Sequence, residues 1–181
     1  MSPRGRLRIV TGVASAVIVV VVIFALLDPA GRASLPQVIL AWGLGLASCG
    51  ILLWLHGIAL RIAVASLDDP RPHRRMRLVV CVMFVVHVAE ATSMGLLFYS
   101  GAQWMGLGRL AGETEQFIGD YIYFAVASYS SLGLGDVRPE GLLRLWTVLL
   151  TITGLMCIAW TLTDLIKGRP APEGSDMSGL R

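Results

Sequence analysis

The chain has 181 residues, of which 55% are hydrophobic and only 15% charged, with a formal net charge of +3. A soluble domain carries about 25% charged residues, so this composition excludes an ordinary soluble protein, and the length allows one compact unit. The small basic excess fits membrane topology and attraction to anionic lipid, and gives no reason to expect nucleic acid as a partner.

A helix needs about 20 mostly apolar residues to cross the roughly 30 Å hydrocarbon layer. Residues 1–9 form a basic arm carrying Arg4, Arg6 and Arg8. The uncharged run Val10 to Leu27 follows. It exceeds the 7–15 apolar residues of a signal peptide, and Asp28-Pro29-Ala30-Gly31 is a poor cleavage site, so it reads as a retained helix. A second run, Leu35 to Leu60, is interrupted only by His56. These two additional helices occupy residues 10–65, and Gly43 with Ala47, four apart, predicts close helix packing.

Residues 66–77 read as a turn-rich basic loop. Arg71, Arg74 and Arg77 recur at voltage-sensor spacing, but a sensor needs its arginines inside the membrane field, and two prolines interrupt this stretch. The third run, Leu78 to Phe98, carries His87 and Glu90. A glycine-rich outer segment, Tyr99 to Gly119, leads to a short helix over Asp120 to Ser131. At 1.5 Å per residue that helix covers only about 18 Å, too little to cross. The fourth run is Leu145 to Thr163, and residues 168–181 read as a disordered polar tail.

Arginine and lysine sort these segments. Arg4, Arg6, Arg8, Arg61, Arg71, Arg74, Arg75, Arg77, Lys167, Arg169 and Arg181 share one side. Arg32, Arg109, Arg138 and Arg144 lie on the other. The positive-inside rule puts both termini in the cytoplasm of a multi-pass inner (plasma) membrane protein. Cys49, Cys81 and Cys157 lack metal-ligand spacing and read as buried apolar thiols.

The chemistry concentrates in Tyr123 to Pro139, where a short helix runs into Ser131-Leu132-Gly133-Leu134-Gly135-Asp136 before the last apolar helix. A cation filter needs successive carbonyls aimed at one axis to replace hydration water. An ordinary strand alternates its carbonyls. Gly133 and Gly135 take positive φ readily, and alternating them with Leu132 and Leu134 turns the oxygens to one side. The Ser131 hydroxyl adds a further oxygen, and the carbonyl end of the short helix favours a cation.

This stretch resembles the pore loop of the potassium channel superfamily, whose consensus is similar to Y-F-x-x-x-T-x-T-T-V-G-Y-G-D-x-x-P. Tyr123, Phe124, Gly133, Gly135, Asp136 and Pro139 fall in register, with Ser130 and Ser131 at threonine positions and Leu132 for valine. The resemblance implies potassium ions held by the carbonyls of Ser131, Leu132, Gly133 and Leu134 and by the Ser131 hydroxyl. It implies Tyr123, Phe124, Ser128 and Ser130 as pore-helix support, and Gly154 near a common inner-helix hinge. Leu134 stands where the family usually has tyrosine, and Ala127 where some members have a glutamate partner for the filter aspartate. Asp136 then leans on Tyr123 or water.

His87 and Glu90, three apart, share a helix face and read first as a hydrogen-bonded packing pair between helices, with a pH-sensitive pair as the alternative. His56 reads as a lone structural histidine. Thr147, Thr151, Thr153, Thr161 and Thr163 either line a cavity or bond back to their own helix.

The expected fold is an all-α integral membrane protein. It has four transmembrane helices, with a re-entrant pore helix and selectivity filter between the third and fourth, in a pore domain spanning residues 78–167. A single filter strand cannot enclose an ion, so the resemblance implies a homotetramer conducting monovalent cations, potassium first. A weakly selective cation channel, or a nonconducting sensor or accessory protein, is the alternative. No enzyme chemistry, organic cofactor or small-molecule substrate is expected. On this topology a cysteine placed at Ser66, in a background lacking the native cysteines, is shielded from membrane-impermeant reagent in intact cells. External labelling there would contradict the arrangement.

Overall fold

The computed structural model describes residues 34–66 and 71–167. The basic arm, the expected first helix Val10 to Leu27 and the tail lie outside the described residues. In chain order the elements are α1 (Leu35–Ser66), α2 (Pro72–Gln103), β1 (Leu110–Gly112), α3 (Ile118–Tyr129), β2 (Val137–Pro139) and α4 (Leu143–Lys167). Among the described residues, three stretches are long and apolar enough to cross a membrane: Leu35–Ala65, His73–Gln103 and Leu143–Ile166.

Each spanning helix outruns the apolar run that announced it. Hydropathy marks only the part matched to hydrocarbon, whereas a backbone hydrogen-bond ladder continues into polar sequence at no cost. The largest difference lies in the basic stretch. Residues from Pro72 onward are helical, not loop, and the amides of Arg74 and Arg75 both donate to the Arg71 carbonyl at 3.0 Å. Proline is compatible with a first helical turn, where its missing N–H would have had no intrahelical partner.

The helices meet around one aromatic core. Phe98 of α2 lies edge-on to Phe124 of α3 at 5.7 Å and to Trp146 of α4 at 5.8 Å. Trp146 is itself buried, and its indole N–H donates to the Ala41 carbonyl of α1 at 2.7 Å. That bond ties α1 to the rest of the bundle. The close approach behind it is made at Gly45, where an added Cβ would lie 2.9 Å from both Trp146 and Leu149. The expected pair Gly43 and Ala47 instead faces away from the described core. Hydropathy alone gives no phase to a helix that is apolar all round, so the packing face was not legible. Similarly, Cys49 and Cys157 are buried but Cys81 is exposed.

One element departs from an all-helical expectation. β1 and β2 pair antiparallel, with Leu110 opposite Pro139, Ala111 opposite Arg138 and Gly112 opposite Val137. This ribbon joins the segment before α3 to the segment after Asp136. Flanking bonds extend it, from Glu113 N–H to the Asp136 carbonyl at 3.1 Å and from Glu140 N–H to the Arg109 carbonyl at 2.8 Å. An Arg109–Glu140 ion pair at 3.0 Å lies alongside.

Gly45→Ala and Gly43→Ala gain the same helix propensity, but only the first meets neighbours within 4 Å. Overpacking typically costs about 1–3 kcal/mol. Gly45→Ala is therefore expected to lower the thermal midpoint of the purified protein, and Gly43→Ala to hold or raise it.

Candidate ion-pathway segment

The short helix α3 is fixed at its start by one carboxylate. Asp120 Oδ2 accepts from the Thr114 hydroxyl at 2.7 Å, the Glu115 amide at 2.9 Å and the Phe117 amide at 3.3 Å. Of these donors the Phe117 amide, at the N-cap, is one that a helix N-terminus otherwise leaves unpaired. Gln116 anchors the same end to β1, donating to the Leu110 carbonyl at 2.6 Å, while Tyr121 donates to its side-chain oxygen at 2.7 Å.

At its other end α3 stops at Tyr129 and the chain turns back on it. Ser131 N–H donates to the Ser128 carbonyl at 3.1 Å, and Leu132 and Gly133 N–H both reach the Ala127 carbonyl, at 2.9 and 3.3 Å. Ser130 Oγ donates to the Val126 carbonyl at 2.8 Å. Beyond the turn, φ alternates in sign: Ser131 at 60°, Gly133 at 53° and Gly135 at 82° are positive, while Leu132 and Leu134 are not. This is the pattern the glycine spacing required. Ser131 was not anticipated, since a non-glycine residue rarely takes positive φ and nothing in the sequence marks it. Residues Ser130 to Asp136 are all exposed, including both leucines.

The sequence-predicted supports fall around this segment. Tyr123 donates its hydroxyl to Asp136 Oδ2 at 2.7 Å, and Val137 N–H donates to Oδ1 at 3.0 Å. Phe124 and Ser128 are buried on the bundle side of α3. Gly154 lies within unbroken α4, where an added Cβ would collide with the Tyr129 carbonyl. Close packing accounts for that glycine without a hinge.

A second group of polar residues gathers under Tyr129. Its hydroxyl donates to Glu90 Oε2 at 2.6 Å and contacts His87 Nδ1 at 2.8 Å. Glu90 Oε1 is 3.0 Å from His56 Nδ1. Thr161 Oγ1 sits 3.1 Å from His56 Nε2 and 3.4 Å from His87 Nε2. His87 and Glu90 do approach, at 3.5 Å. His56, however, is no isolated structural histidine: it is fully buried in this cluster and stacks on His87 with ring centroids 5.1 Å apart. Its partners lie 31 or more positions away in sequence, so no local spacing could reveal them. Of the five threonines, Thr147, Thr151, Thr153 and Thr163 bond back to their own helix, and Thr161 alone joins the cluster.

Donor atoms of His56, Glu90 and Cys157 lie within 4.8 Å of one another. They are arranged as a hydrogen-bonded cluster and not as a coordination sphere, because both Glu90 oxygens already face Tyr129 and His56.

Among the described residues, three apolar helices long enough to span, with a short helix and a positive-φ loop between the last two, make this a mostly helical multi-pass membrane protein. Residues 82–167 match the ion channel family model. Comparison with curated proteins and with solved structures gives no match.

The Tyr123 hydroxyl, and then the Val137 amide, hold the Asp136 carboxyl below its ordinary value of 3.8. A carboxyl lowered in the folded state contributes stability above the ordinary value and loses it as pH falls through the lowered one. Tyr123→Phe should therefore move the Asp136 titration, read by carboxyl NMR, back up toward the ordinary value. An unmoved titration would mean that the phenol is not the cause.

Proposed function

We propose that the chain is one subunit of a homotetrameric potassium-type channel in the inner (plasma) membrane. It passes monovalent cations down their gradient through a filter made of backbone oxygens. The observation that carries this reading is the alternating φ of Ser131 to Gly135, at the end of a short helix and within the residues that match the ion channel family model. Alternation of this kind turns successive carbonyls of Ser131, Leu132, Gly133 and Leu134 to one side, as replacement of an ion's hydration shell demands.

The exposure of Leu132 and Leu134 supports the tetramer. Apolar side chains are left bare on one chain, and one strand of carbonyls cannot surround an ion. Four copies about an axis supply both missing elements. In this arrangement α3 is the re-entrant pore helix. It directs its C-terminal partial negative charge toward the ion path, and α2 and α4 are the outer and inner helices. The run Val10 to Leu27 adds the fourth span, and the arginine asymmetry puts both termini inside.

A weakly selective cation channel is the second reading, favoured by one feature: Leu134 brings no hydroxyl to brace the loop from behind. Reversal potentials in liposomes holding the purified protein under opposed potassium and sodium gradients separate the two readings, and absence of flux would favour an accessory role. Gly133→Ala and Gly135→Ala should each abolish selective flux in assembled protein. Left-handed backbone costs an L-residue about 1–2 kcal/mol. Nothing in the chain lies within 4 Å of either added Cβ, so crowding is not the cause. Normal selectivity in both variants would remove the filter assignment.

A further inference from the structure

The polar residues below α3 form a closed circuit. His56 meets Glu90, Glu90 meets Tyr129, Tyr129 meets His87, His87 meets Thr161, and Thr161 returns to His56. The five side chains come from α1, α2, α3 and α4, so every long element contributes. The further titratable group against them is the thiol of Cys157, also on α4. Trp160 of α4 covers His56 at a ring distance of 5.8 Å.

Proton bookkeeping constrains the circuit. Five contacts need five protons if each is to be a hydrogen bond. The two hydroxyls bring one each, and two neutral imidazoles bring one each. An ionised Glu90 brings none, so closure needs one more proton, shared among Glu90 and the histidines. With that proton, and with Cys157 as the thiol, the cluster carries no net charge. A buried site within the membrane favours neutrality independently. The 3.4 Å contact between Thr161 and His87 is the longest, and without it four protons would suffice and leave a net negative charge.

We propose that this one-proton ring positions the filter, and that through it α1, which lies outside the matched channel domain, bears on the ion path. The mechanical chain is short. The Tyr129 hydroxyl is held by the ring, and Tyr129 is the last residue of α3. The next residues turn back onto the Ala127 and Ser128 carbonyls and lead directly into the positive-φ segment. His56 does not touch that segment. It acts through Glu90, whose two oxygens are shared between His56 and Tyr129. His56, Glu90 and Tyr129 are thus positioning residues, and they place one specific helix outside the channel unit in contact with its working part.

The inference builds on the filter reading, but its test requires no ion flux, so a chain that fails to conduct leaves it standing. Amide hydrogen exchange of residues 130–135 is measured in full-length protein in lipid nanodiscs for wild type, His56→Leu, Tyr129→Phe and the double variant. Each single change removes two of the five contacts and should lower protection at least about fivefold, the loss expected for one buried hydrogen bond alone. The double variant should lower it no further, because both changes open the same ring. His56→Asn, whose amide can stand in for the imidazole Nδ1–H toward Glu90, should restore most of it. Should His56→Leu fail to assemble, Thr161→Val opens the ring with the loss of one hydroxyl and takes its place. The extra proton is read from the pH profile. Protection corrected for intrinsic exchange should fall with rising pH in wild type and stay flat in Thr161→Val, whose three remaining contacts need only three protons. Unchanged protection in the variant used to open the ring, multiplicative effects in the double variant, or parallel pH profiles would each overturn the proposal.

Discussion

In the proposed filter, backbone that offers its oxygens to an ion cannot also commit them to a helix or a sheet. Non-helical backbone at membrane depth survives only where protein holds it or water lines it. The segment from Ser131 to Gly135 has no strand partner, and its shape must come from what stands on either side. This accounts for the density of side-chain bonds around α3, a helix of only 12 residues. Asp120 and Gln116 fix its beginning, Tyr123 reaches past it to Asp136, and Tyr129 is gripped at its end. The ribbon of β1 and β2 adds a further tie, joining the chain before α3 to the chain after Asp136.

The same constraint explains why α1 is bound so firmly to helices it merely precedes. In lipid, apolar surface provides little drive for helices to associate, and close packing with specific polar bonds has to do so. α1 has both. Gly45 admits the Trp146 ring, and the Ala41 carbonyl accepts its indole N–H. His56 supplies a second polar anchor 15 residues farther on, and the two attachments together fix the rotation and height of α1 against α4.

Much of this was legible in the sequence. Segment length against bilayer thickness located the three described spans, and the glycine spacing implied positive φ at Gly133 and Gly135 before any coordinates. The resemblance, with Ala127 in place of an acid, implied Tyr123 or water as the partner of Asp136, and the bond goes to Tyr123. What stayed hidden was long-range or unphased. His56 meets Glu90 and Thr161 only because α1 docks in one rotation, and a helix apolar on every face does not announce that rotation. The strands β1 and β2 are three residues each, too short for alternation to show. Ser131 takes its positive φ from the tight turn at the end of α3, a property of the fold and not of serine.

The notch at Gly154 has a kinematic meaning. The Tyr129 carbonyl sits where any side chain on α4 would collide, so the two helices are meshed like a tooth and a gap. Sliding α4 along its axis by one turn, about 5.4 Å, would bring Leu150 or Ile158 toward that gap, and each carries the Cβ that Gly154 lacks. Displacement of the last helix along its axis must therefore carry the end of α3 with it or disengage the mesh altogether. The two motions are geared.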